Sequence, residues 1–256
     1  MHVRAALGGR TVLVTGANRG IGAGFVDAAL DAGAARVYAG ARDVSSLQSA
    51  RAVHGDRLVP VRLDLADPET IDAAIGECTD VDVLISNAGR SGTGRLLEID
   101  EGDVRDLFEV HVFGPLRLAR GLAPGISARR GGMIFVHSSA ALALSRNGPA
   151  YSASKAASMM LALGIREALQ PSGVRVTSVF PGFTNTDIIR AVDIVKAEPR
   201  DVVDRSLQAW AAGEACVFPD RFAELVHELL QSDFDGLLDD PGRVMTETVA
   251  RYAAGG

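Results

Sequence analysis

Short strand-forming runs alternate with helical stretches along most of this 256-residue chain, and this alternation restricts its fold more than any other feature. The runs are Thr11–Thr15, Arg36–Ala41, Leu58–Leu65, Val81–Ser86, Met133–Ser138 and Val174–Phe180. Each is followed by Gly, Asn, Asp or Ser and then by a stretch of helical periodicity. Val12-Leu13-Val14 and Val81–Ile85 are apolar enough for strands covered on both faces. Strands joined through helices make a parallel sheet with right-handed crossovers. The expected fold class is therefore α/β, a doubly wound parallel sheet. Helices are predicted over Ile21–Ala32, Ser45–Val53, Pro68–Cys78, Glu101–Leu122 and Ala150–Gln170. Asp67 is placed as an N-cap before Pro68, and Pro115 should kink the fourth helix. After Gly182 the pattern loosens. Residues 184–215 read as an excursion of one or two short helices, and Pro219–Gln231 as a final amphipathic helix. No linker, charge block or repeat divides residues 1–256, so a single domain is expected.

The first run leads straight into Gly16-Ala17-Asn18-Arg19-Gly20-Ile21-Gly22 and then a helix. Glycines let the backbone turn tightly and approach a pyrophosphate, whose charge suits the N–H groups at a helix start. A glycine triplet alone is a weak signal, but its place between first strand and apolar helix is what dinucleotide binding requires. The spacing, G-x-x-x-G-x-G, departs from the common G-x-G-x-x-G. The end of the second strand bears on cofactor choice. Ala39-Gly40-Ala41-Arg42 has no carboxylate to accept the ribose hydroxyls of NAD, whereas Arg42 and Arg19 suit a 2′-phosphate. Either arginine also fits an ordinary surface charge, and Asp43 softens the preference. NADP(H) is expected, with NAD(H) the alternative.

Ser138 ends the fifth run, and Tyr151-Ser152-Ala153-Ser154-Lys155 opens the next helix. Tyr151 and Lys155, four residues apart, share a helical face. A buried ammonium beside a phenol favours phenolate and should bring Tyr151 down towards working pH. Carbonyl reduction needs a proton on oxygen as hydride reaches carbon, and a serine hydroxyl can hold that oxygen. Lys155 can also bind the nicotinamide ribose. Tyr-x-x-x-Lys alone is common by chance; here it follows the glycine loop, with Ser138 thirteen residues before Tyr151.

This ordered series resembles the classical short-chain dehydrogenase/reductase family: Thr15-Gly16-x-x-x-Gly20-x-Gly22, then Asn87-Ala88-Gly89, Ser138, Tyr151, Lys155 and Pro181-Gly182. The resemblance implies a Rossmann-type fold and an NADP(H)-dependent oxidoreductase moving hydride between nicotinamide and a carbonyl or secondary alcohol. Its triad would be Ser138, Tyr151 and Lys155; Ser139 is the rival serine, and the family's spacing selects Ser138. The implied cofactor set is Gly16, Asn18, Arg19, Gly20, Ile21, Gly22, Arg42, Asp64, Leu65, Asn87, Ala88, Gly89, Tyr151, Lys155, Pro181, Gly182, Thr184 and Thr186. Within it Asp64 and Leu65 fall at the adenine and Asn87–Gly89 at the ribose. Thr186 faces the carboxamide or phosphates, or else caps a helix. An acyl or polyketide ketoreductase shares every motif, and a non-catalytic NADP(H)-binding regulator is the reading from another class.

Two departures stand out. Where the family usually has Asn, this chain has His111, followed by Val112-Phe113-Gly114-Pro115. In the family the backbone carbonyl there holds a water that relays protons to the lysine. His111 is therefore counted with the catalytic set, either titrating in the relay or filling the Asn's volume. Asp235–Leu238 is a poor seventh strand, which weakens the tetramer that relatives form through that end. A homodimer or homotetramer is expected, with Ala153, Ala156, Ala157, Met160 and Gly164 giving a small-residue face. Phe183, Ile188, Ile189 and Trp210, with Leu142 and Leu144, are read as an apolar wall for a small carbonyl or alcohol substrate. The net charge of −6 argues against nucleic acid. Cys78 and Cys216 lack metal-ligand spacing, so no metal is expected. No apolar run spans a bilayer and Met1–Gly9 is no signal peptide, so a soluble, cytoplasmic protein without a membrane partner is expected.

Overall fold

The computed structural model describes residues 2–186 and 194–255. Along β1 (Thr11–Thr15) successive side chains point to opposite faces, as the two-residue strand period requires. Val12 and Val14 enter one apolar core and Leu13 the other, and all three are fully buried. A strand covered on both faces needs helices above and below, and the chain supplies them in alternation.

α1 (His2–Leu7) precedes β1; α2 (Gly20–Asp31), β2 (Arg36–Ala41), α3 (Gln48–His54), β3 (Leu58–Arg62), α4 (Pro68–Glu77) and β4 (Val83–Ser86) follow. α5 (Glu101–Phe108) runs through a π-turn (Glu109–Phe113) into α6 (Gly114–Ala128), then β5 (Gly132–Val136), α7 (Pro149–Leu169) and β6 (Arg175–Val179). α8 (Pro199–Ala212), β7 (Cys216–Val217), α9 (Arg221–Ser232), α10 (Phe234–Asp239) and α11 (Arg243–Ala253) complete the described elements.

The sheet is seven-stranded and parallel throughout, in the order β3-β2-β1-β4-β5-β6-β7. The fold class is the expected α/β doubly wound sheet. The chain steps outward from β1 to β2 and β3, then crosses to β4 on the other side. That reversal opens a crevice beyond the carboxyl ends of β1 and β4, where such sheets bind ligands. On one face Phe25, Val26, Leu207 and Trp210 cover Val12, Val14 and Ile85. On the other Ile71, Leu118 and Ile126 cover Leu13, Leu84 and Met133. Each large side chain so buried contributes about 1.5–3 kcal/mol.

All six expected strands are present, but the third ends at Arg62 because the chain turns at Asp64, where Thr70 Oγ1 bonds both its N–H and its carbonyl. The short seventh strand, Cys216–Val217, had no detectable period, and the weak candidate 235–238 lies in α10. Among its described residues the excursion carries the 14-residue helix α8. That helix presents Val202, Val203, Leu207 and Trp210 at three- and four-residue spacing to the sheet. Trp210 is consequently core, 2% exposed, pressed on Gly132, and not part of a pocket wall. The distortion expected at Pro115 takes the form of the π-turn just before it. Gly114 donates its N–H five residues back to Glu109, and Pro115 has no N–H to offer His111.

Candidate active site

The turn after β1 is built for close approach. Gly16 and Gly20 hold positive φ (64° and 55°), which L side chains rarely adopt. A Cβ on Gly22 would stand 2.0 Å from the Gly16 oxygen. Arg19 takes the cap position of α2 without a side-chain cap bond, so its side chain does not occupy the first-turn N–H groups of that helix. A pyrophosphate fits this cradle of bare backbone and helix dipole. The turn is braced from below: Thr15 Oγ1 accepts the N–H groups of Asn87 and Ala88, each at 2.9 Å. Asn87 Nδ2 donates to the Thr15 oxygen at 3.0 Å. The 87–89 turn therefore touches the glycine turn on one side. On the other, a Cβ on Gly89 would come within 3.2 Å of His111 Nε2 and 3.5 Å of Lys155 Nζ.

At the far end of β2, Arg42 and Asp43 are both exposed. The Asp43 carboxylate accepts from Ser45 N–H (2.9 Å) and Ser45 Oγ (2.8 Å), which caps the next helical turn and holds its pKa below the usual aspartate value. An acid committed to its own turn is a poor partner for ribose hydroxyls, and Arg42 keeps the neighbourhood cationic. Asp64 Oδ1 accepts from Ala66 N–H at 3.0 Å. Leu65 turns its side chain into the core against Gly114, so only its backbone faces the crevice end of the strand.

Ser138 leaves β5 in extended conformation and its Oγ accepts from Ala140 N–H at 3.1 Å. It stands near enough to the Tyr151 hydroxyl to act on that phenol's pKa, whereas Ser139 is buried. Pro149 opens α7, and Lys155 Nζ, one turn past Tyr151, donates to the Val136 oxygen at 3.3 Å and lies 5.8 Å from the Tyr151 ring centre. Burial pushes Lys155 down to about 8. The expected depression of Tyr151 is not found: burial pushes the phenol up, and the nearby Ser138 hydroxyl only pulls part of it back. Removing a phenolate from water costs more here than the serine hydroxyl returns.

His111 sits on the π-turn, its ring edge-on to Tyr151 with centres 5.5 Å apart. Burial, reinforced by Lys155, pushes its pKa down to about 2, which favours the neutral ring. Pro181-Gly182 follows β6. Gly182 N–H donates to Asp220 Oδ2 at 2.7 Å, and Asp220 Oδ1 also caps α9 through Ala223 N–H at 2.9 Å. Thr186 packs over Gly20, its Cγ2 3.0 Å from where a Cβ would be. Thr184 is buried and its hydroxyl has no hydrogen-bond partner among the described residues. Asp220 and Ser154 were missed by sequence reasoning, although Asp220 directly before an amphipathic run was a legible N-cap. Phe183 and Leu142 gather with Phe222, Val226 and Val244 of the C-terminal helices in an apolar cluster. Ile188 and Ile189 lie outside the described residues. Among the described residues no helix is long and apolar enough to cross a membrane.

The family model described as short chain dehydrogenase matches residues 10–195. A solved short chain dehydrogenase from Burkholderia cenocepacia, in complex with NADP, is similar with TM-score 0.85 and 35% identity, covering 90% of this chain and 96% of its own. The 3-oxoacyl-(acyl-carrier-protein) reductase of Vibrio cholerae is 31% identical over 192 residues, 73% of this chain and 78% of that protein. The 1-deoxy-11-beta-hydroxypentalenate dehydrogenase of Streptomyces exfoliatus is 32% identical over 244 residues, 91% of this chain and 82% of that protein.

Proposed function

The chain belongs to the short-chain dehydrogenase family of oxidoreductases, and from that premise we propose that it interconverts a carbonyl and a secondary alcohol with NADP(H) through Ser138, Tyr151 and Lys155. One observation carries the reading: the Tyr151 phenol stands by Ser138, with buried Lys155 a turn away, its Nζ 5.8 Å from the ring centre and in reach of the 87–89 turn that braces the glycine cradle. The NADP held by the similar Burkholderia structure supports the same cofactor, as do exposed Arg42 and the committed Asp43. The glycine turn, Arg19 and Arg42 would hold its phosphates, and Lys155, Thr184 and Thr186 its nicotinamide end.

Bound there, the nicotinamide supplies or accepts hydride. The protein's own groups manage the oxygen. In the reducing direction Tyr151 gives its phenolic proton to the carbonyl oxygen, and its raised proton affinity keeps that proton in place until charge develops. The Ser138 hydroxyl bonds the same oxygen and fixes its direction. The Lys155 ammonium stabilises the phenolate that the transfer leaves behind. His111, neutral in this site, takes no proton in the cycle.

The test follows NADPH absorbance against ketones, aldehydes and acyl thioesters. Tyr151→Phe is expected to lower kcat by about 10²–10⁴-fold, and undiminished turnover in that variant refutes the assignment. An acyl ketoreductase is the second reading, favoured by the Vibrio cholerae relative; thioester turnover far above that of simple ketones in the same panel selects it. Phe113, Met160 and Leu163 are exposed large apolar side chains on the π-turn and α7, and we take this face as where copies of the chain meet.

A further inference from the structure

Both ring nitrogens of His111 are partnered, and the partners dictate the tautomer. Nε2 lies 3.1 Å from the backbone nitrogen of Arg90, which can only donate, so Nε2 is bare and accepts. Nδ1 therefore carries the proton and donates to Ser154 Oγ at 2.9 Å. The Ser154 hydroxyl, fully buried, donates in turn to the Tyr151 backbone oxygen at 2.8 Å. The donors run in one direction, from the turn after β4, across the π-turn, to the first turn of α7. They end on the tyrosine that the edge-on ring already touches.

We propose that His111 and Ser154 are positioning residues, a neutral Nδ1–H imidazole and a serine hydroxyl that together fix where Tyr151 stands relative to Ser138. The inference rests on the proposed role of Tyr151. Neutrality is built into the arrangement. A second proton on the ring would turn Nε2–H against the Arg90 N–H. It would also place a cation beside Lys155 of α7, Arg90 of the turn and His137 at the end of β5, each of which disfavours charge on the ring. Ser154 is the adapter: the hydroxyl is the group of that size able to accept from the imidazole and donate to a carbonyl at once. An alanine there leaves a buried N–H without its acceptor and a carbonyl without its donor.

The intact protein serves for every measurement. Histidine nitrogen-15 spectra should show a ring protonated on Nδ1 and bare on Nε2, unchanged from about pH 5 to about pH 9, and identified as His111 by its response to Ser154→Ala. The opposite tautomer, or titration within that range, overturns the proposal. In kinetics, Ser154→Ala should lower kcat about 3- to 10-fold, with KM moving less than about two-fold. In the His111→Asn background, where the bond is already lost, the same change should lower kcat little further. Equal losses in both backgrounds, with Tyr151→Phe inactive, overturn this inference alone. Turnover that survives Tyr151→Phe overturns the underlying reading and this inference with it.

Discussion

Replacing Gly22 by alanine puts a methyl group where the structure has a carbonyl. The new Cβ would stand 2.0 Å from the Gly16 oxygen and 2.6 Å from Asn87 Nδ2. Non-bonded heavy atoms settle about 3.5–4.0 Å apart, so the first turn of α2 must retreat by about 1 Å or more. The obstacle is backbone and cannot swing aside as a flexible side chain would. Retreat strains the Asn87 bonds to Thr15 and Gly16, at 3.0 and 3.4 Å. Overpacking costs about 1–3 kcal/mol, and the weakened amide bonds add about 1 kcal/mol, giving about 2–4 kcal/mol in all. Gly76 in α4 is the control: a Cβ there meets nothing within 4 Å, and alanine should stabilise by about 0.5–1 kcal/mol through helix propensity. Urea unfolding and NADPH fluorescence titration of wild type, Gly22→Ala and Gly76→Ala separate stability from binding. Gly76→Ala should bind like wild type, and Gly22→Ala should remain folded but bind at least about 10-fold more weakly. A Gly22→Ala protein with wild-type affinity and stability would falsify the assignment of this turn as the dinucleotide cradle.

Arg42→Ala should weaken NADPH binding by about 10-fold or more while leaving NADH binding unchanged, since only the 2′-phosphate loses a partner; titration of both nucleotides checks it. Burial lowers Lys155 to about 8 from the ordinary 10.5, so between those values the unfolded chain binds more protons than the folded one. The wild-type stability margin over Lys155→Met should therefore rise with pH from about 8 towards 10, as read by urea unfolding at stepped pH. Asp220→Ala removes the acceptor of both Gly182 and Ala223 N–H groups and should cost about 2–3 kcal/mol, with a raised KM for NADPH in steady-state assays. Met160→Glu, at a side chain 62% exposed, should leave the fold intact and lower the solution mass measured by light scattering, if copies meet on α7.

The sheet was legible because its central strands are buried on both faces, so β1, β4 and β5 appear as largely apolar runs; Val12-Leu13-Val14 needs no partner to be recognised. β7 was not, because two residues carry no period, and its place comes from pairing with β6. Trp210 was misread for a related reason. Its apolarity was visible, but which face of α8 meets the sheet is decided by Gly132 opposite, far away in the chain. At the site, fixed spacings placed Tyr151 and Lys155 on one helical face, and a glycine turn before a helix identified the cradle. The sign of the Tyr151 shift escaped because it depends on how much water burial removes, which spacing does not record. Ser154 escaped because its partners, His111 and the Tyr151 carbonyl, converge only when α7 packs on the π-turn.

The π-turn also sets a phase. A helix advances about 100° per residue, and a single turn closed five residues back takes up one residue more than the regular spiral allows. Helix α5, whose Asp103 and Asp106 hold Arg90, and helix α6, whose Leu118 and Leu122 lie on the sheet, are thus indexed independently on one continuous rod. Deleting one residue between Glu109 and Phe113 would leave a longer and more regular helix. It would also rotate one half against the other by that angle, carrying either the Arg90 clamp or the sheet-facing leucines out of register. Length in this segment is therefore constrained more tightly than composition, and an insertion or deletion here acts as a change of gearing between the rim of the crevice and its floor.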